Sequence, residues 1–143
     1  MLTDNWSERY SVNIEEMDCQ HKKLLNLMNG LDEEIRKDRD DKQIAAIVEE
    51  LNRCVEVHFR EEEKLMERLG FPHLGAHKSR HLHFLVQFHM LNSAYRSGHL
   101  ALVQIFIRYL KNWFVFHVFS EDRTYGAFLE SQTSLAGSRA VNY

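Results

Sequence analysis

The sequence predicts an all-α protein, built as an antiparallel, up-down-up-down four-helix bundle with an N-terminal arm. Apolar residues recur every three or four positions in four long stretches, which is the period of a helix with one buried face. The 143 residues include one proline and six glycines, so little interrupts these stretches. The breaks between the stretches are short, and helices joined by short connections pack antiparallel.

The elements follow one another in a simple order. Residues 1–17 contain apolar residues without helical period, and we expect them to form an ordered arm that lies on the bundle. Residues 18–130 are expected to hold the four helices, and residues 131–143 a loosely held tail, all within a single domain, 1–143. The predicted breaks between the helices are polar or contain Gly or Pro, and they fall at KDRDD (37–41), GFPHLG (70–75) and RSGH (96–99).

Composition excludes several classes of function. A hydrophobic content of 44% and a charged content of 27% are typical of a soluble globular protein, and a net charge of −3 gives no electrostatic reason to expect nucleic acid as a partner. The first residues lack the basic and apolar regions of a signal peptide, and no apolar run approaches the ~20 residues that a membrane helix needs. The two cysteines make neither a disulfide framework nor a zinc pattern. We therefore expect a cytoplasmic protein without membrane insertion.

Histidines from all four helices are predicted to meet in one layer of the bundle. If the turns are centred at about 39, 71 and 97 and each helix rises about 1.5 Å per residue, the helices can be folded back on one another. His21 then falls opposite position ~57, beside His58, and positions 58–62 fall opposite ~80–84, beside His81. Positions 77–81 fall opposite ~113–117, ending at His117.

Two carboxylates are candidates for the same layer. Residues four apart on a helix share a face, so Glu62 points with His58, just as His77 points with His81. Asp122 follows His117 by five positions, a rotation of about 140° on a regular α-helix, which points it away from the layer. Asp122 can join the layer only if the helix loosens there, for example in a π-type turn.

These side chains predict a metal centre. Five histidines in an apolar layer cannot all be protonated at low dielectric, and neutral imidazoles need hydrogen-bonding partners. A metal gives them a common partner, and imidazole suits iron, zinc, copper or nickel. Five nitrogens and two carboxylates are too many for one ion, but they suit two ions bridged by the carboxylates.

The remaining polar residues and the cysteines are not expected to bind the metal. We expect surface positions for His73, His83, His89 and His99, and solvated side chains for Glu61 and Glu63. Cys54 lies one turn before His58, where a thiolate ligand is an alternative, but a small buried apolar residue is the favoured interpretation for both Cys54 and Cys19.

The residues that carry the metal prediction also carry a family pattern. The chain resembles the bacterial hemerythrins, the non-haem di-iron oxygen carriers, over about residues 6–130. The opening WSERYSVNIEEMD is similar to the N-terminal arm of that family. The matching stretches with candidate ligands are MDCQHKKLLNLMN, HFREEEKLM, GFPHLGAHKSRH and WFVFHVFSED.

The resemblance implies a specific site. One iron would be held by His77, His81 and His117, and the other by His21 and His58, which leaves an open position. Two iron ions (Fe2+/Fe3+), bridged by an oxo or hydroxo group, would also share the carboxylates of Glu62 and Asp122. The oxygen pocket of the family corresponds here to Leu24, Phe59, Trp113, Phe114 and Val118, although many members have Leu at the position of Phe114 and Ile at that of Val118.

The implied function is reversible O2 binding, for oxygen carriage, storage or delivery, with dioxygen as the partner and no enzymatic turnover. The alternative is a di-iron enzyme or sensor that acts on O2, peroxide or NO. Di-iron enzymes built on helical bundles use sites rich in glutamate. Because nitrogen donors outnumber carboxylates in this sequence, the donor set favours carriage over oxygen activation.

Overall fold

The protein is a four-helix bundle in the computed structural model, which describes residues 5–37 and 41–141. Helices α1 (Glu15–Arg36), α2 (Asp41–Leu69), α3 (Leu74–Arg96) and α4 (Leu100–His117) form the four rods, and no strand occurs in these described ranges. The fourth rod continues through a π-helical turn, Val118–Asp122, into α5, Arg123–Val141. Helix α1 packs on α2 and α4, and α3 packs on the same two helices. The predicted architecture is confirmed.

Glycines mark the ends of two rods. Gly70 directly follows α2 with a φ of 67°, and Gly98 lies two residues beyond α3 with a φ of 75°. Residues with a Cβ atom are strained in this left-handed conformation, so a glycine there is a common way to end a helix. Breaks occur at both predicted places, but they are shorter than the predicted 70–75 and 96–99, since they span residues 70–73 and 97–99. Within the predicted break at 37–41, residues 38–40 lie outside the described part of the chain.

The N-terminal arm is ordered and held to the bundle. Its described part runs from residue 5 to residue 14, because α1 begins at Glu15 rather than at residue 18. Asp18 accepts two hydrogen bonds from the arm, from Ser11 Oγ at 2.6 Å and from the backbone N–H of Val12 at 2.9 Å. The backbone at Val12 also lies against Gly126, where an added Cβ would come within 2.5 Å of the Val12 carbonyl oxygen. The arm can therefore pack here only because position 126, on the continuation of the fourth rod, is a glycine.

The C-terminal segment differs from the expectation of a tail that begins at residue 131. Helix α5 continues to Val141, and residues 142–143 lie outside the described range. The segment contains one glycine and no proline, so nothing in it forces the helix to stop. Among the described helices, none is both long enough and apolar enough to span a lipid bilayer.

Candidate metal centre

A single layer of polar side chains interrupts the apolar core. Eight polar or charged residues are buried in the described chain. One of them, Asp32, forms an ion pair with Arg36, whose Nη2 lies 3.0 Å from Asp32 Oδ2. The other seven are the predicted ligands, and each is at most 3% exposed: His21, His58, Glu62, His77, His81, His117 and Asp122. Burying so many polar groups without compensation would cost several kcal/mol for each, so a common partner is required.

The π-helical turn brings Asp122 into this layer. Residues Val118–Asp122 form one wide turn between two α-helical segments, and the carboxylate of Asp122 ends beside the ring of His117. A regular helix would rotate it away, as the five-residue spacing indicates. The predicted loosening of the helix is therefore confirmed. Such single-turn π-bulges are frequent at functional sites.

Five donors form the larger of two groups in the layer. Glu62, His77, His81, His117 and Asp122 each offer one ligand atom, and these atoms lie within 4.8 Å of one another. Nε2 of His81 lies 3.1 Å from Nε2 of His117. Two imidazole nitrogens bound at right angles to one metal, at about 2.1 Å each, would be about 3 Å apart. The spacing therefore suits a shared ion.

The smaller group uses the other two histidines. His21, His58, Glu62 and Asp122 also place four ligand atoms within 4.8 Å of one another. Nε2 of His21 lies 3.0 Å from Nε2 of His58. With one histidine fewer than the first group, this group leaves more of an ion's coordination positions free.

Both carboxylates lie between the two groups. Glu62 directs Oε1 toward His77 Nε2, at 2.8 Å, and Oε2 toward His58 Nε2, at 3.5 Å. Asp122 directs Oδ1 toward His117 Nε2, at 3.0 Å, and Oδ2 toward His21 Nε2, at 3.2 Å. Each carboxylate thus offers one oxygen to each group, which is the arrangement that two bridged ions require.

The carboxylate oxygens are short of hydrogen bonds. Both oxygens of Asp122 and Oε2 of Glu62 are buried without a hydrogen-bond partner in the described chain, although imidazole nitrogens lie close by. Nitrogens converge on these three oxygens without the geometry of donor and acceptor, whereas Glu62 Oε1 is hydrogen-bonded to His77 Nε2 at 2.8 Å. Orphaned oxygens of this kind fit a pair of cations, because carboxylate and imidazole are both good ligands for divalent transition metals.

Electrostatics within the layer also favour bound cations. Burial opposes protonation of His21, His77 and His117, but interactions with Asp122 and neighbouring carboxylates outweigh it and raise the pKa of each to about 9. Burial dominates at His58 and lowers its pKa to about 3. Burial alone would raise the pKa of Glu62 and Asp122, yet the surrounding histidines hold both pKa values well below the usual range. Without a metal, protons supply the positive charge that the two carboxylates need.

Outer hydrogen bonds orient two of the histidine rings. Gln20 Oε1 lies 2.6 Å from His58 Nδ1, and Gln20 also donates a hydrogen bond to Glu61. Glu63 Oε1 lies 2.9 Å from His81 Nδ1. Partners of this kind fix the tautomer of a ligating histidine and leave Nε2 free to bind. The expectation that Glu61 and Glu63 are merely solvated is wrong, because Glu63 contacts the ring of His81 on α3 and Glu61 accepts the hydrogen bond from Gln20 on α1.

A third histidine has a charged neighbour of the same type. His117 Nδ1 lies 3.2 Å from Glu121 Oε2, and Arg80 Nε lies 2.7 Å from the other oxygen of Glu121. Glu121 belongs to the π-helical turn, so this one turn supplies both a carboxylate for the layer and a carboxylate behind it. The sequence analysis did not identify Glu121 or Gln20. The i+4 spacing of Glu121 from His117 was an available signal.

The residues expected to form an oxygen pocket surround the histidine rings. The ring of Phe59 stacks on His81 at 3.8 Å between centroids, and Trp113 stacks on His117 at 4.7 Å. Phe114 meets His21 edge-on at 5.8 Å. Leu24 and Val118 are each 1% exposed. Of these five, Leu24 also lines a cavity of about 130 Å³, whose other lining residues include Lys23, Arg53 and His58.

The expectations for the other four histidines and the two cysteines are confirmed only in part. His73, His83, His89 and His99 are exposed, as expected. Cys19 is also exposed, which corrects the expectation that it is buried. Cys54 is half-buried, with its Sγ 3.5 Å from Glu50 Oε1, and it belongs to neither group of ligand atoms among the described residues.

Comparison with known proteins identifies the family. The family model described as the Hemerythrin HHE cation binding domain matches residues 12–129. The chain is 28% identical to "Bacteriohemerythrin" of Clostridium acetobutylicum over 125 residues, which cover 84% of this chain and 96% of that protein. It is 29% identical to "Hemerythrin-like protein" of Naegleria gruberi over 121 residues, or 85% of this chain and 89% of that protein. A crystal structure of wild-type hemerythrin superposes with a TM-score of 0.77 at 25% identity, covering 89% of this chain and 97% of that one.

Proposed function

The chain belongs to the hemerythrin family, and from that membership we propose that it binds O2 reversibly at a centre of two iron ions. His77, His81 and His117 would hold one ion, and His21 and His58 the other. Glu62 and Asp122 would bridge the pair, together with an oxo or hydroxo group. When bound, the two ions would supply the two electrons that reversible O2 binding requires.

The position of the carboxylates is the observation that carries this proposal. Glu62 and Asp122 each divide their two oxygens between the two groups of histidines, at 2.8 to 3.5 Å from the ring nitrogens named above. A single ion would leave one oxygen of each buried carboxylate without a cation. A pair of ions satisfies all four oxygens, and five histidines complete the donor set.

The protein's own contribution is to orient the ligands and to exclude water. Gln20 and Glu63 would hold the rings of His58 and His81 with Nε2 directed into the layer. Phe59, Phe114 and Val118 are buried around the layer and leave little room for bulk water. An apolar wall beside the less coordinated ion favours an uncharged diatomic ligand over water or anions. Leu24, which lines a cavity together with His58, would be part of the same wall.

Location and role follow from the same proposal. Both cysteines are free thiols, which suits a reducing cytoplasm. The donor set has five nitrogens and two carboxylates, whereas di-iron enzymes on helical bundles use sites rich in glutamate. We therefore favour oxygen carriage, storage or delivery over turnover of O2, peroxide or NO.

The test is to load the metal-free protein with ferrous iron under anaerobic conditions and then admit air. We expect two iron ions per chain and a visible absorption band that appears with O2 and disappears when O2 is removed. Uptake of one ion per chain would contradict the dinuclear site. A band that does not reverse, together with sustained consumption of peroxide or NO, would assign the protein to the enzymatic alternative.

A further inference from the structure

Helices α3 and α4 lack charge along most of their length. Residues 81–95 and 97–107 contain no Asp, Glu, Lys or Arg. The longest uncharged runs within helices α1 and α2 are shorter, residues 24–31 and 43–48. One side of α3 and one side of α4 must face the core, so the uncharged sequence on their other sides has no explanation within the bundle. A surface helix normally carries charged or polar residues on the side opposite the core, and the outer sides of α3 and α4 carry no charge along these runs.

The outer sides of these two helices expose large apolar residues. Six of them are between 42% and 63% exposed, and together we call them the α3–α4 face: Leu82, Val86, Met90, Leu102, Ile105 and Tyr109. Scattered single apolar residues are normal on a protein surface, but a continuous patch of several hundred Å² marks an interaction site. An interaction site on this face therefore requires that the six residues form one continuous patch.

The two rows of the α3–α4 face are contiguous. Leu82, Val86 and Met90 follow one another at intervals of four along one side of α3. Leu102, Ile105 and Tyr109 do the same on α4, at intervals of three and four. A contact of 3.2 Å between His83 Nε2 and Tyr109 Oη joins the two helices across the surface. The rows therefore make one apolar surface that spans two neighbouring rods.

We propose that the α3–α4 face binds a second copy of this chain, so that the protein is a two-fold symmetric dimer. The six side chains present on the order of 600 Å² of apolar surface, and a stable interface buries about 800 Å² from each partner. Exposed residues that border the face, such as His83, Arg108 and Asn112, supply the remainder. The area is therefore of the size that a stable dimer needs.

The chemistry of the face favours a second copy over other occupants. A two-fold interface brings the same patch of both chains together, and a patch without charges meets itself without repulsion. A charged partner such as nucleic acid or an anionic lipid surface would find no complementary cation among the six residues.

The test is the mass of the full, metal-loaded chain by sedimentation equilibrium over a range of concentrations. A reductant must be present, because the exposed Cys19 could otherwise form disulfide-linked dimers. We expect twice the chain mass of 17.0 kDa. Ile105→Lys should weaken the dimer by about a hundredfold or more, because a two-fold interface would bury two unpaired charges.

The controls separate the interface from folding. Ala45→Lys adds the same charge to an exposed position of α2 outside the α3–α4 face, and it should leave the dimer unchanged. Leu82→Lys repeats the test from α3 if Ile105→Lys fails to fold, since Leu82 is 63% exposed and tolerates a charge in the isolated chain. A wild-type chain that is monomeric at every concentration overturns the proposal, even if it binds phosphatidylcholine vesicles. A dimer that withstands substitution at both positions also overturns it.

Discussion

Glu63 on α2 directs its Oε1 to Nδ1 of His81 on α3, at 2.9 Å, from outside the polar layer. A carboxylate in this position makes Nδ1 the protonated nitrogen and leaves Nε2 free to bind a metal. Glu63→Gln removes the charge while keeping the shape of the side chain. We expect metal affinity to fall by about 10- to 100-fold, measured by competition with a chelator.

The matched control for that substitution is Glu67→Gln, one turn later on the same helix, where the side chain is exposed. It should leave metal affinity unchanged. Equal losses in the two variants would mean that Glu63 acts only through the general charge of the protein and not through His81.

His77→Ala should lower metal content and thermal stability together. His77 Nε2 lies 2.8 Å from Glu62 and 2.9 Å from Asp122, so its loss removes a donor that contacts both carboxylates. Metal binding stabilises the folded state, by about 3 kcal/mol at 100 times the dissociation constant. Thermal melts with and without iron measure the effect. His73→Ala, at an exposed position before the same helix, is the control, and full iron retention with unchanged melting in His77→Ala would contradict the assignment.

Metal uptake should release protons and strengthen as the pH rises. The pKa values of His21, His77 and His117 are raised to about 9 in the metal-free site, so all three are protonated at pH 7, whereas His58, with a pKa of about 3, is already neutral. A metal must displace the three protons. Affinity should therefore increase between pH 7 and pH 9, about tenfold per pH unit for each proton released, and level off above pH 9.

Calorimetric titration with ferrous iron in two buffers of different ionisation enthalpy measures this release. About three protons per chain are expected at pH 7. Uptake without proton release would show that the three histidines are neutral before the metal binds.

Phe114→Leu should destabilise the protein modestly and shorten the lifetime of the ferrous form in air. Phe114 is 3% exposed and meets the ring of His21, so a smaller side chain leaves a gap beside the less coordinated group. We expect a loss of about 1 to 2 kcal/mol in the free energy of unfolding. Oxidation of the ferrous protein, followed by absorption, should accelerate because the gap admits water.

Phe106→Leu is the control for packing, since Phe106 is a half-buried residue two turns earlier on the same helix. It should affect stability without changing the rate of oxidation. The same acceleration in both variants would remove Phe114 from the wall of the proposed site.

The parts of this molecule that the sequence predicts are those with a regular period. The pairs His58 with Glu62 and His77 with His81 share faces through the four-residue spacing, and the bundle layer follows from turn positions and helix rise. The five-residue spacing of Asp122 indicated a break in that period, and the π-helical turn is this break. Periodicity works here because the predicted ligands point inward, where the pattern is strongest.

The residues that hydrogen-bond to the outer nitrogens of the histidines cannot be predicted from periodicity. Gln20 and Glu63 are polar and only partly buried, so in sequence they are indistinguishable from solvated residues. Their role depends on which ring of a neighbouring helix lies within reach, a relation that no spacing along one helix encodes. Cys19 was misassigned for a related reason, since its position beside an apolar stripe does not reveal that it faces outward.

The wide turn at Val118–Asp122 acts on everything that follows it. One additional residue per turn advances the phase of the helix by about 100°, so it reorients each later side chain about the axis. Tyr125 and Gly126 face inward in this phase, and Gly126 leaves space for the carbonyl of Val12. Shortening the chain by one residue at this point would turn both outward, so the extra residue that brings Asp122 to the proposed ligands also positions the helix surface against which the N-terminal arm packs.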